Sequence, residues 1–320
     1  MDRPRIVVLG TGGTLAGTSS SNSDNIGYTA ATLGIAQLLA EIDLLKDLPL
    51  VAEQVAQIDS KDMDETVWTR LALRCAHWLA QDDVQGIVIA HGTDTLEETA
   101  WLLQALLEPS RPIVLTCAMR PATAFSPDGP QNIVDALAVA GWPGAQGVVA
   151  VCAGIIHGAF DVRKNHTYRL DAFSSGDAGP IGYVEETKLR LLRSWALPGS
   201  PHPALAVLAS AAPWPQVEIV TSHGGADGAM VRSLVAGGVR GLVVAGTGNG
   251  TIHRSLESAL RAAREQGVRV VRATRCAQGR VIAPVQDGFE SAKGLSPVKA
   301  RIALQLDLLA TGPARPGRAG

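Results

Sequence analysis

Two hydroxyls in glycine-rich turns are the first candidates for chemistry in this sequence. Residues 86–90 form a short apolar, β-branched run, which reads as a buried strand. The chain then turns through His91-Gly92-Thr93-Asp94 and enters a helix. Thr95 with Glu98 three residues later forms a capping box, and Leu96, Ala100, Leu103 and Leu107 recur at helical spacing behind it. Thr93 and Asp94 therefore fall in a strand-to-helix turn at the C-terminal end of a strand. Open α/β sheets bind ligands there, and a helix N-terminus favours anions. A Thr-Asp pair standing alone in such a turn would be read as part of the cap; other segments give it a second reading.

The second hydroxyl is Thr14. The first strand-like run, residues 5–9, leads into Gly10-Thr11-Gly12-Gly13-Thr14-Leu15-Ala16-Gly17. The spacing is not that of a dinucleotide-binding GxGxxG, no helix follows the glycines directly, and no Gly-Lys-Ser/Thr completes a phosphate-binding loop. A loop rich in Gly, Ser and Thr remains, from Gly10 to about Thr29, with Thr14 near its start and Tyr28 near its end. Beside a strand end, such a loop is either an active-site lid or ordinary mobile surface.

The elements that must position these groups are α/β. Strand-like runs at 5–9, 86–90, 112–117 and 147–152 alternate with amphipathic segments at 33–45, 66–79, 95–107 and 130–140. That alternation implies βαβ units and a mostly parallel sheet with flanking helices. Residues 195–215 are rich in Pro, Ala and Ser and read as a linker between an N-terminal catalytic domain, residues 1–194, and a smaller C-terminal α/β domain, residues 216–320. In the smaller domain, strands are expected at 217–220, 241–245 and 268–272, and helices at 228–236, 255–266 and 297–309.

Composition narrows the function. A net charge of −2 over 320 residues gives no basis for a nucleic-acid or anionic-membrane partner. Seven scattered histidines without HExxH, and four cysteines without CxxC, support no metal site; the thiols read as core residues. No apolar stretch reaches the roughly 18–20 residues that span a bilayer, and the run at 6–9 is too short for a signal peptide's apolar core. The expectation is a cytoplasmic enzyme.

The two threonine segments, Thr11 to Gly17 and His91 to Ala100, resemble the paired motifs of the bacterial-type L-asparaginases. Ser60-Lys61-Asp62-Met63, Ala118-Met119-Arg120-Pro121, Asp128-Gly129-Pro130, Asp161-Val162-Arg163-Lys164, Gly246-Thr247-Gly248-Asn249-Gly250 and Pro297-Val298-Lys299-Ala300-Arg301 match further blocks of that family in order. The resemblance covers residues 5 to 310 and implies a threonine amidohydrolase without cofactor. Such an enzyme converts L-asparagine to L-aspartate and ammonia, with side activity on L-glutamine. It implies Thr14 as the primary nucleophile, Tyr28 as its accompanying phenol, and Thr93, Asp94 and Lys164 as a second triad. Ser60 and Asp94 would hold the substrate's α-carboxylate and α-ammonium, and the backbone N–H groups of Thr93 and Ala118 would form the oxyanion hole. The resemblance further implies a homotetramer of tight dimers with sites at the dimer interface, where Asn249 reaches a neighbouring subunit's site.

Three positions depart from the family pattern. Lys61 stands where Gln or Glu usually meets the α-ammonium, and a cation there repels it unless it turns away or pairs with Asp59 or Asp62. The Glu that usually comes from the neighbouring subunit has no clear equivalent in residues 279–293; Asp287 and Glu290 are the candidates. Cys75 lacks the disulfide partner of the secreted branch, which fits a reducing compartment. The alternatives are a glutaminase-preferring enzyme, a non-catalytic amino-acid sensor that kept the pocket, and the asparaginase-like subunit of a glutamyl-tRNA amidotransferase. The last carries an extra N-terminal domain, whereas the fold here is expected to start by residue 5, and there is no basic bias for tRNA.

Overall fold

The computed structural model describes residues 4–19, 21–27, 29–282 and 288–312. The chain divides into two compact units, Met1–Pro201 and His202–Gly320.

In the first unit, strands and helices alternate: β1 (Arg5–Gly12), α1 (Ile35–Ala40), β2 (Leu50–Ile58), α2 (Glu65–Leu79), β3 (Val84–Ala90), α3 (Leu96–Leu107), β4 (Ile113–Thr116), α4 (Gly129–Ala140) and β5 (Val148–Cys152). Then come β6 (Ile155–Gly158), β7 (Arg163–Lys164), β8 (Phe173–Ser174), β9 (Gly182–Glu185) and β10 (Lys188–Leu191). The eight-stranded sheet runs in the order β10-β9-β6-β5-β4-β3-β1-β2. From β5 to β2 all neighbours are parallel, so the ends of β1 to β4 open onto one edge. The central strands are fully buried, with Val7, Val8, Leu9, Ile87, Val88 and Ile89 at 0% exposure. Buried on both faces, they read as continuous apolar runs.

Two parts of the sheet lie beyond the apolar runs. The edge strand β2 carries Glu53, Gln54 and Gln57, with only Val55 fully buried. Its polar pattern hides it from a search for buried strands. After β5 the chain reverses at Ala153 (φ 50°) and Gly154 (φ 73°), a two-residue turn with both residues left-handed. That geometry makes a tight hairpin, so β6, and with it β9 and β10, adds an antiparallel flank. The helix expected over 33–45 is broken: α1 stops at Ala40, Ile42 turns extended, and a short 3₁₀ turn occupies Asp43–Leu45.

In the second unit, α5 (Ala204–Ala209) precedes β11 (Val217–Thr221), α6 (Ala229–Ala236), β12 (Gly241–Gly246), α7 (Arg254–Glu265), β13 (Arg269–Thr274), β14 (Glu290–Ser291) and α8 (Pro297–Thr311). The four strands form one parallel sheet in the order β11-β12-β13-β14. Alternate β12 residues face opposite layers. Leu242 and Val244 pack with Val231, Leu256 and Leu260, while Val243 packs with Ala300, Leu304 and Leu308 of α8. Helix α5, with Ala204 and Leu208 buried, lies within the stretch 195–215 that reads as a linker.

Candidate active site

Glycine lets three strand ends converge. Gly13 follows β1 at φ 84°, and a Cβ there would stand 2.4 Å from the Gly92 Cα and 2.5 Å from its nitrogen. A Cβ on Gly92 would stand 2.4 Å from Ser60 Oγ. The turns after β1, β2 and β3 therefore touch with no side chain between them. Thr14 starts a 3₁₀ turn, Thr14–Ala16, and is buried beside this contact.

Ser60 joins the second turn to the third. Its hydroxyl oxygen accepts the Asp94 N–H at 3.1 Å, and its carbonyl accepts the Thr95 hydroxyl at 2.7 Å. The Thr95 side chain thus makes no cap bond to α3, contrary to the capping box read from the sequence. Its hydroxyl ties the turns together instead.

Lys164 arrives from the β7–β8 ribbon, where it pairs with the buried Phe173. Its Nζ donates to Thr93 Oγ1 at 2.7 Å and meets Asp94 Oδ1 at 2.5 Å. The Lys164 side chain is 17% exposed and that of Asp94 52%, so the carboxylate keeps a face open to a ligand. Thr93 Oγ1 lies 3.5 Å from Asp94 Oδ1.

The fourth strand end brings Ala118. Asp128, at the N-cap of α4, accepts the N–H groups of Met119 at 2.9 Å and Arg120 at 3.0 Å. Asn132 Nδ2 donates to the Cys117 carbonyl at 2.9 Å, and its Oδ1 accepts the Ala153 N–H at 2.9 Å.

Beneath Thr93 lies His91, fully buried. Its Nδ1 bonds the Gly92 carbonyl at 2.7 Å, and its Nε2 meets Thr99 Oγ1 at 3.0 Å. The Trp68 indole donates to that same hydroxyl at 2.9 Å. Gly92 O only accepts, so Nδ1 carries a proton; burial disfavours the charged ring, which leaves Nε2 to accept from the Thr99 hydroxyl. Burial moves the His91 pKa down to about 4.

Lys61 pairs with Asp62; that partner, with smaller contributions from Asp59 and Asp94, holds its ammonium above the ordinary lysine range. Asn249 belongs to the second unit, where its amide accepts the Ile282 N–H at 2.7 Å and donates back to the Ile282 carbonyl at 3.2 Å. Glu290 is paired with Arg269 at 2.6 Å. Tyr28 and Asp287 lie outside the described residues. Cys75, Cys117, Cys152 and Cys276 are free thiols, the first three buried. Nothing in the sequence spacing gives His91, Asp128 or Asn132 a task, although His91 and Asp128 sit inside the family motifs.

A Thr-Asp-Lys cluster against a second buried threonine, at the C-terminal edge of a parallel sheet, is the equipment of a nucleophilic α/β hydrolase. Residues 5–197 match the family described as Asparaginase, N-terminal, and residues 216–315 the Glutaminase/Asparaginase C-terminal domain. The chain belongs to the asparaginase family. It is 36% identical over 317 residues to L-asparaginase 2 of Bacillus subtilis strain 168, covering 97% of this chain and 84% of that protein. It is equally 36% identical over 317 residues to the glutaminase-asparaginase of Pseudomonas fluorescens biotype A, covering 96% of this chain and 86% of that one. Among solved structures it resembles a probable cytoplasmic L-asparaginase from Campylobacter jejuni, with a TM-score of 0.88, 35% identity and 95% of each chain covered.

Proposed function

We propose that this chain is a threonine amidohydrolase that converts L-asparagine to L-aspartate and ammonia, with side activity on L-glutamine. The observation that carries the proposal is the Thr93–Asp94–Lys164 cluster, closed by bonds of 2.7 and 2.5 Å from one ammonium group.

In this reading Thr14 Oγ attacks the side-chain amide carbon, and the carbonyl electron pair moves onto oxygen. The N–H groups of Thr93 and Ala118 receive that oxyanion. The hydroxyl proton is relayed to the amide nitrogen, the C–N bond breaks and ammonia leaves. Water then cleaves the threonyl ester, restoring the Thr14 hydroxyl and releasing L-aspartate. Lys164 supports the relay through its field and its bond to the Thr93 hydroxyl. Tyr28 is the phenol that accompanies Thr14. Ser60 Oγ already accepts the Asp94 N–H, so its own hydrogen is left for the α-carboxylate, while the open face of Asp94 takes the α-ammonium. Asp62 pairs with the Lys61 ammonium and so offsets the repulsion that cation would exert on this group.

The same reading assigns a homotetramer of tight dimers with sites at the dimer interface and Asn249 serving a neighbour, and a cytoplasmic location consistent with the free thiols. It takes residues 1–194 as the catalytic domain and residues 216–320 as the C-terminal domain. Light scattering in solution and cell fractionation check assembly and location.

The test of activity is ammonia release from L-asparagine, L-glutamine and D-asparagine, with L-asparagine the best substrate. A protein that binds L-asparagine, raising its Tm, yet releases no ammonia overturns the proposal.

A further inference from the structure

The two N–H groups assigned to the oxyanion hole share a feature that neither motif announces. A peptide unit is planar and trans, so the carbonyl of one residue and the N–H of the next point in opposite directions. Thr93 N–H belongs to the same plane as the Gly92 carbonyl, and Ala118 N–H to the same plane as the Cys117 carbonyl. Both carbonyls are gripped from behind by buried side chains: Gly92 O by His91 Nδ1 at 2.7 Å, and Cys117 O by Asn132 Nδ2 at 2.9 Å. His91 is 0% exposed and Asn132 3% exposed. Among the described residues, neither the Thr93 nor the Ala118 N–H is spent on a protein acceptor.

We infer that His91 and Asn132 are a matched pair of positioning residues that clamp the Gly92 and Cys117 carbonyls, and so aim the Thr93 and Ala118 N–H groups at one oxyanion. The inference rests on the function proposed above and adds to it the residues that set the direction of the two donors.

Each clamp is itself braced. Gly92 O only accepts, so the imidazole carries its proton on Nδ1 facing it, and the Thr99 hydroxyl, which takes the Trp68 indole N–H at 2.9 Å, holds the other ring nitrogen, Nε2, at 3.0 Å. Asn132 is held at its other end by Ala153 N–H at 2.9 Å, and its Nδ2 also lies 3.3 Å from Asp128 Oδ2. Asp128 in turn fixes the N–H groups of the next two residues after Ala118. Side chains held at both ends lose little orientation, as donors aimed at developing charge require.

Aiming an oxyanion donor acts on the transition state and not on the bound amide, so its loss appears in kcat and not in KM. Steady-state ammonia release from L-asparagine by His91→Gln, His91→Asn and Asn132→Asp, beside the wild type, tests this. The Gln amide nitrogen follows the position of Nε2 and loses the Gly92 clamp, whereas the Asn amide nitrogen follows Nδ1 and keeps a donor there. Asp at 132 keeps the acceptor for Ala153 N–H and loses the donor to Cys117 O.

Removing one such donor outright costs about 10²–10³ in kcat, so a misaimed one is expected to cost about 10–100-fold in His91→Gln and Asn132→Asp, with KM within about threefold. His91→Asn is expected to recover at least about tenfold of the turnover lost in His91→Gln. Equal loss in both His91 variants, or losses carried by KM, would reduce the two residues to packing and overturn the inference. If the His91 variants do not fold, the kcat-against-KM split in Asn132→Asp decides alone. A wild type that releases no ammonia refutes the proposed function, whatever the variants do.

Discussion

Gly13 and Gly92 meet backbone to backbone, 2.4 Å between the place of a Gly13 Cβ and the Gly92 Cα. This contact, between residues 79 apart in sequence, brings the turn that carries Thr14 against the turn that carries Thr93. It requires glycine twice over at position 13. The space is already filled by backbone, and φ 84° with ψ −170° is a conformation that only glycine adopts freely.

Gly13→Ala is therefore expected to separate the two threonine turns. The backbone strain alone is about 1–3 kcal/mol. Thermal unfolding should show a lower Tm, and ammonia release should fall by about 10²-fold or more, since misplacement of about 1 Å is enough for that. A variant with wild-type turnover would show that the close contact does not position the site.

Replacing Lys164 by Arg should not preserve activity. The Nζ serves two acceptors, Thr93 Oγ1 and Asp94 Oδ1, from the end of a flexible stem, and a planar guanidinium cannot repeat that point contact. Lys164→Arg and Lys164→Met are both expected to lose about 10²-fold or more of kcat, the range for a proton-transfer group. Comparable turnover in the Arg variant and the wild type would refute this role.

Lys61 should matter little. Its side chain is 60% exposed and turned to Asp62. Lys61→Ala is expected to move KM for L-asparagine by less than about threefold, as exposed pairs contribute only up to ~1 kcal/mol. A larger change in KM, in either direction, would mean that Lys61 faces the substrate after all.

His91 should leave a mark on stability against pH. Its folded pKa is about 4, below the ordinary value of 6.5, because burial disfavours the charged ring. Above pH 6.5 the ring is neutral in both states and contributes no pH dependence. Between 6.5 and about 4 the unfolded chain takes up a proton that the folded chain refuses, so stability falls as pH falls. The full effect is on the order of 3 kcal/mol. Denaturant midpoints at steps of pH should show this slope in the wild type and a flatter one in His91→Asn. An unchanged slope in the variant would assign the dependence to other groups.

What could be read from the sequence follows from how each residue acts. The β3–turn–α3 unit is visible because residues 86–90 are apolar without interruption and the helix behind them repeats its leucines. β2 escaped because an edge strand with Glu53, Gln54 and Gln57 carries no such run, and the β5–β6 reversal rests on an alanine taking a left-handed turn position. The two threonines are visible through their glycine-rich settings, whereas Lys164, in a run of polar residues, is marked only by the family resemblance. Thr95 keeps the N-cap position of α3, but the bond its hydroxyl makes is not legible in the spacing because the partner, the Ser60 carbonyl, lies 35 residues away in sequence. The work assigned to His91 and Asn132 lies in the direction of two peptide planes, and no spacing of residue types encodes a direction.

The measurement that bears most directly on the central claim is ammonia release from L-asparagine by Thr14→Ala, Thr93→Ala and the double variant. If the two threonines act as one unit, each single variant falls by at least about 10³-fold and the double falls little further, the non-additivity of groups that share one step. A Thr14→Ala enzyme that keeps turnover within about tenfold of the wild type would contradict the assignment of Thr14 as nucleophile, since loss of a nucleophile costs orders of magnitude more.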